Sequence, residues 1–399
     1  MKIFLSILFF CFYTYLTFGQ PGWHQQNAFT GSERDDGCAF WLNGSGYFGT
    51  GRDGGFVILN DWWKYDAVND SWNQKTNFQG APRQYAVAFA VNGKGYVCSG
   101  IDAFGNYRND AWEYDDVLDQ WTQVDSIPGV GRMASVAFVI GPYAYVCTGR
   151  TSTGQCLNEC WRFDPSSGSW SAMNPLPEGL WLSAAFAMGG FGYVCTGKDS
   201  SGNFTDALYR YDPALNSWSP AALFPGAARI YSEGISLPYS GLICSGLDSI
   251  NQYLNDLWEY DPYHNAWSQR VSLPSFSRKG VSSFSDGFNG WIITGIDSSN
   301  TRTKEVWKYE APLNVHEELR NPFCLYPVPA DDVVTLTGLA YFRGDCLIYD
   351  ILGQLVFHSA IDGMLNNYFI DVSDFPGGIY FARLNGKDFS GEMKMVIGR

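Results

Sequence analysis

The sequence predicts an all-β fold: a six-bladed β-propeller closed by an N-terminal strand, followed by a small C-terminal β-sandwich. Three observations lead there. An aromatic block recurs in phase, as in Asn60-Asp61-Trp62-Trp63-Lys64-Tyr65-Asp66 and Asn109-Asp110-Ala111-Trp112-Glu113-Tyr114-Asp115, with its marker aromatic at 63, 112, 161, 209, 258 and 307. The intervals of 49, 49, 48, 49 and 49 residues fit a propeller repeat, whose period lies near 50. The sixth block stops at Glu310 without its final Trp, while the Trp series 72, 121, 170, 218 and 267 extends backwards by 49 residues to Trp23. A strand around Trp23 is therefore expected to complete the last blade and remove an open sheet edge. Beyond residue 321 the 49-residue pattern gives way to short alternating strands.

Composition agrees with a packed β-protein. Fifteen Trp and 24 Tyr in 399 residues, with 17% charged, exclude a disordered chain. A net charge of −14 argues against nucleic acid or an anionic membrane as the main partner. Met1-Lys2 and the apolar run Ile3–Phe18 read as a signal peptide over residues 1–19, too short for a span. The mature chain is expected to begin near Gln20, to carry no transmembrane span and to work outside the cytoplasm. Of its nine cysteines, Cys98, Cys147, Cys195 and Cys244 occupy one repeat position. Neighbouring copies lie on the order of 12 Å apart on second strands of a ring, beyond disulfide reach. They read as small buried hydrophobes, which leaves Cys156–Cys160 and Cys324–Cys346 as pairings to examine.

Within one period four strands can be parsed. Tyr85–Val91 is an apolar inner strand, Asn92-Gly93 a hairpin turn, and Gly95–Ser99 a second strand ending at Gly100. A polar loop, 102–109, leads to Ala111–Tyr114 and then Trp121–Val124. Glycine closes every second strand, at 51, 100, 149, 197, 246 and 295. The recurring Trp and Tyr fill the wedge between twisted sheets.

The repeated Asn-Asp-x-Trp-x-Tyr-Asp block and its following Trp resemble the kelch repeat, over residues 20–311. Kelch blades usually carry paired glycines; here the pair reads Thr50-Gly51, Ser99-Gly100 and Thr148-Gly149, so the turn chemistry differs.

One polar position is as regular as the tryptophans. Arg34, Arg83, Arg132, Arg229 and Arg278 precede five inner strands, and the fourth blade has Leu180-Trp181 instead. Two readings stand. Each Arg pairs with the acid before the third strand (Asp61, Asp110, Glu159, Asp256, Glu305), or the arginines and Trp181 line a ligand pocket at the propeller mouth, since guanidinium forks suit carboxylates and hydroxyls. Phe56, Phe104, Tyr107, Phe204 and Tyr253 sit in the mouth loops and either pin them or face a ligand. Asp102, Asp199, Asp248 and Asp297, two residues past the Gly, read as turn-makers. The four His residues, 24, 264, 316 and 358, show no metal-ligand spacing, so neither a metal nor a cofactor is expected. Glu233, Asp35 and Asp36 are the carboxylates that acid–base chemistry at the mouth would use, and some six-bladed kelch-like proteins are sugar epimerases.

After a linker at 312–321 comes a distinct unit, 322–399. Its blocks Leu325-Tyr326-Pro327-Val328-Pro329, Leu347-Ile348-Tyr349-Asp350-Ile351-Leu352-Gly353 and Phe375-Pro376-Gly377-Gly378-Ile379-Tyr380 imply six or seven short strands. In this order they resemble the C-terminal sorting domain of the type IX secretion system, with Val328 where Asn is usual. The resemblance implies recognition by that machinery and delivery to the medium or the outer-membrane surface after signal-peptide export to the periplasm. The preferred expectation is an exported binding or scaffold protein with a protein or glycan ligand; the alternative is a carbohydrate-active enzyme, epimerase or hydrolase, at the arginine mouth.

Overall fold

Each 49-residue period folds into one twisted antiparallel sheet, because its four short runs are joined by turns that reverse the chain. In the second period these are Val87–Val91, Lys94–Cys98, Ala111–Asp115 and Gln120–Val124, hydrogen-bonded in that order. Asn92 and Gly93 turn the first pair with φ of 52° and 73°, as a two-residue hairpin requires. The structure, a computed structural model, describes residues 22–311 and, in the C-terminal region, 324–326, 330, 332–337, 342–351, 353–362, 367–386 and 390–398. The expected signal peptide, the linker and His316 lie outside them.

Six such sheets are present among the described residues. Their inner strands follow one another around an axis: Cys38–Leu42, Val87–Val91, Val136–Ile140, Ala184–Met188, Glu233–Ser236 and Ser282–Ser285, the last packing back on the first. Gly22–Gln26 closes the sixth sheet by pairing with Val306–Glu310, Trp23 facing Tyr309 and Gln25 facing Trp307. The chain is a β-propeller.

A backbone ring joins blade to blade. The glycine that ends each second strand donates its N–H to a carbonyl at the start of the next blade: Gly51 to Arg83, Gly100 to Arg132, Gly149 to Leu180, Gly197 to Arg229, Gly246 to Arg278, and Gly295 back to Arg34, all at 2.8–3.0 Å. Gly100 adopts φ +98°, and a Cβ there would stand 2.9 Å from the Gln84 carbonyl, so the close approach excludes a side chain. The residue before it is also left-handed in every blade, from Thr50 at 60° to Thr294 at 58°. This is the altered turn chemistry: Ser or Thr occupies a conformation that glycine adopts without strain.

The C-terminal unit is a sandwich. Cys324–Tyr326, Val333–Thr337 and Asn367–Asp371 form one sheet, and Leu355–Asp362, Arg343–Asp350, Gly378–Gly386 and Ser390–Ile397 the other. Val334, Leu336, Ile348, Ile361, Ile370 and Met395 share the core between them.

The cysteines need one correction. Cys98, Cys147, Cys195 and Cys244 are fully buried, but Cys160 does not pair with Cys156. It lies across the strand from Cys147, Sγ to Sγ 2.6 Å, while Cys156 belongs to the loop that leads into that strand and bonds Ser200 Oγ through its N–H. The Cys324 side chain lies outside the described residues; Cys346 is buried.

Deleting Gly22–Gln26 leaves Val306–Glu310 as a bare edge, so the truncated protein is expected to associate or aggregate and to lose its cooperative thermal transition. Size-exclusion chromatography with calorimetry checks this; a monomer with unchanged Tm contradicts ring closure.

Candidate binding site at the propeller mouth

The mouth is organised by the arginine before each inner strand. Arg83 donates from Nη1 to the Ser99 carbonyl at 2.9 Å and grips Asp110 with both terminal nitrogens at 2.7 and 2.8 Å. Arg34–Asp61 and Arg229–Asp256 repeat this fork, and Arg132–Glu159 and Arg278–Glu305 make single contacts. All five arginines are completely buried. The marker Trp of the same blade adds its Nε1–H to the acid, as from Trp112 to Asp110 at 2.8 Å. Blade four lacks the Arg and the acid together, having Leu180 and Ala207, and there Tyr209 donates to Glu178 instead. Burial pushes the Asp110 carboxyl up, but the hydrogen bonds and charge of Arg83 more than offset it and hold it below the usual range.

What faces the mouth is the residue two positions after each arginine. Asp36, Tyr85, Ala134, Leu182, Tyr231 and Gly280 all have positive φ between 53° and 61°, and each of the first five accepts from or donates to its neighbour's backbone around the axis, as Tyr85 N–H does to the Asp36 carbonyl. Tyr85 and Tyr231, from opposite blades, bring their hydroxyls to 3.3 Å. Met133, Ala134, Leu182, Ile230 and Leu247 form an apolar floor beside them.

Both tyrosines line one basin, and Trp181 lines another. The first, of about 200 Å³, spans blades five, six and one and is lined by Asp35, Asp36, Arg52, Tyr231, Lys279 and Arg302 among others. Arg302 donates to Asp35 at 2.7 Å. Arg52 stacks 4.4 Å over Phe56, and Lys279 lies 4.8 Å over Tyr231 and 5.4 Å over Tyr253. Burial and the adjacent Asp35 carboxylate raise the Asp36 carboxyl well above the ordinary range, with Tyr85 and Lys279 partly opposing. Arg302 is matched by Asp35, and Arg52 and Lys279 are the further cations lining the basin. The second basin, about 210 Å³, holds Arg150, Cys156, Trp181 and Lys198, with Arg150 stacked 4.5 Å over Trp181.

Trp181 thus lines a basin, whereas Arg34, Arg83, Arg132, Arg229 and Arg278 present no surface to solvent. Arg52, Lys279 and Arg302 escaped the sequence reading because the residue type at their positions changes from blade to blade: after the glycine stand Arg52, Ile101, Arg150, Lys198, Leu247 and Ile296. Phe56 and Phe104 are exposed, while Tyr107, Phe204 and Tyr253 pack on the apolar floor. The loop aspartates make turns, Asp102 accepting from Phe104 and Asn106 N–H groups. Glu233 opens the fifth inner strand and accepts from Ser283 Oγ at 3.0 Å.

Residues 131–177 match the kelch motif, and residues 324–398 match the secretion system C-terminal sorting domain. The chain carries a kelch motif and a sorting tail. Among solved structures, one titled "Structure of YjhT" superimposes with a TM-score of 0.61 at 19% identity, over 70% of this chain and 95% of its own; that likeness shows the fold. No curated protein matches. The sorting tail marks the chain for secretion or surface attachment and for contact with the secretion machinery, and no helix among the described residues is long and apolar enough to cross a membrane.

Arg83→Ala strands Asp110 against a buried carbonyl and is expected to cost on the order of 3 kcal/mol, read by urea unfolding; a loss under ~0.5 kcal/mol contradicts the fork. Burial lifts Glu233 from 4.5 to about 7. Because the folded pKa is the higher one, its contribution is complete below about pH 4.5 and is lost as pH rises through about 7. Glu233→Gln should flatten the fall in Tm across that window; parallel wild-type and variant profiles would count against it.

Proposed function

We propose that this exported kelch protein is a binding module whose mouth takes an acidic glycan, held in the basin of Arg52, Lys279 and Arg302. The observation that carries this reading is the gathering of three cations over Phe56, Tyr231 and Tyr253 in a chain of net charge −14. Aromatic faces suit the apolar side of a sugar ring, and fixed cations suit a carboxylate or sulfate upon it. The buried arginines then hold the mouth in shape, and Trp181 supplies an aromatic wall in the second basin. Before sorting, residues 1–19 are proposed to direct passage into the periplasm.

A second reading is favoured by one pair. Burial raises both carboxyls, Asp36 well above the ordinary range and Asp35 against the opposing pull of Arg302, and adjacent carboxyls of this kind can share acid and base roles. A carbohydrate-active enzyme of the epimerase or hydrolase type would use them.

Screening the full mature protein on arrays of neutral and acidic glycans and of peptides tests the proposal. Acidic glycans are expected to bind, more weakly at high salt, and Lys279→Ala to weaken binding about tenfold with Tm unchanged. Binding confined to neutral glycans or peptides, or indifference to Lys279→Ala, overturns it. Conversion of a bound glycan, abolished by Asp36→Asn, would select the enzyme.

A further inference from the structure

Blade three differs from its five neighbours at one buried cross-strand position. Where the second strand ends and the third begins, the opposed residues are Gly49 and Trp62, Cys98 and Ala111, Cys195 and Leu208, Cys244 and Leu257, and Ile293 and Val306. In blade three they are Cys147 and Cys160. Thr148 N–H bonds the Glu159 carbonyl, so by the alternation of an antiparallel ladder the next pair, 147 and 160, is a non-hydrogen-bonded one, where side chains stand closest. The thiols face each other at 2.6 Å, nearer than two unbonded sulfurs ordinarily rest. Both residues are buried, at 0% and 1% exposure, among Val136, Phe138 and Tyr211. A chain that carries a secretion sorting tail leaves the reducing cytoplasm.

We propose that Cys147 and Cys160 are joined by a disulfide in the exported protein, pinning the base of the loop that carries Arg150 and Cys156 into the second basin. The bond forms by exchange with a disulfide-bearing protein oxidant outside the cytoplasm. One cysteine thiolate attacks the oxidant's disulfide and displaces one of its sulfurs. The other cysteine thiolate attacks the resulting mixed disulfide, giving the Cys147–Cys160 bond and the oxidant as a dithiol. Two electrons pass to the oxidant, and the two thiol protons end on its sulfurs. Burial raises the Cys147 thiol well above its ordinary value, and both sulfurs are sealed from solvent, so an oxidant does not reach the pair once the blade has closed. Oxidation therefore belongs to the interval before blade three packs, and later reduction requires the blade to open.

The loop spans 148–159. Arg150 and Cys156 pair through a backbone bridge within it, and both line the basin with Trp181 and Lys198. A bond at its base fixes where Arg150 stands over Trp181 without adding any group to the basin.

The exported full chain, purified without reductant, denatured, alkylated and digested, tests the bond by mass spectrometry. A peptide linking Cys147 to Cys160 that disappears on reduction is expected. It should persist in Cys156→Ala, which separates the two cysteines of the 151–162 peptide. Alkylation of Cys147 and Cys160 without prior reduction overturns the proposal, as does linkage of either to Cys156. Cys160→Ala recreates the Cys98–Ala111 pairing of blade two and so keeps a packing the fold already accepts. The variant's Tm is expected about 5 °C or more below that of the oxidised wild type, and close to that of wild type refolded in reductant. Equal Tm in all three would overturn the pinning.

Discussion

The arginine at the start of five of the six blades is the point through which the ring holds together. Its side chain serves its own blade: the guanidinium of Arg83 caps the Ser99 carbonyl and clasps Asp110. Its backbone serves the blade before, since the Arg83 carbonyl accepts the Gly51 N–H. One residue is thus fixed from two sides, and the tight Ser/Thr-Gly turn between those contacts is held in a left-handed conformation that a β-branched residue resists. Blade four keeps the backbone half of this knot through Gly149 and Leu180 but gives up guanidinium and carboxylate together. Losing both avoids a buried unpaired charge, which losing either alone would create.

That knot decides what the mouth can present. The residue two positions on has positive φ in every blade, Leu182 of blade four included, and takes part in the backbone ring around the axis. In blades two and five this residue is Tyr, and the two hydroxyls meet at 3.3 Å. In blade one it is Asp36, pressed against its neighbour Asp35. The same backbone step therefore builds a plug, an apolar floor and a polar basin out of six different residues. Architecture comes from what the repeats share, and chemistry from where they differ.

This division explains how far the sequence could be read. Strand limits were legible to within a residue or two: the inner strand read as Tyr85–Val91 begins at Val87, because Tyr85 at φ 57° belongs to the turn. Closure through Trp23 was legible because an in-phase series had one member missing at one end and one extra at the other. The arginine–acid pairing was legible as a structural alternative, both partners recurring 27 residues apart. The basin was not, because Arg52, Lys279 and Arg302 occupy positions that vary from blade to blade. Searching a repeat for its constant polar residue finds the frame of the mouth; a basin lies off the symmetry axis and is written in the exceptions. Cys160 was matched with Cys156 in the sequence, whereas its cross-strand neighbour is Cys147, set by strand register and not by nearness in the chain.

Native-state hydrogen exchange at the six ring amides, those of Gly51, Gly100, Gly149, Gly197, Gly246 and Gly295, tests most directly whether the propeller is one closed unit. All six are predicted to exchange only through global unfolding, with the same free energy of opening and the same dependence on denaturant. If Gly295, whose N–H joins the last blade to Arg34, exchanges through a local opening while the other five stay protected, the ring is not closed and the account fails.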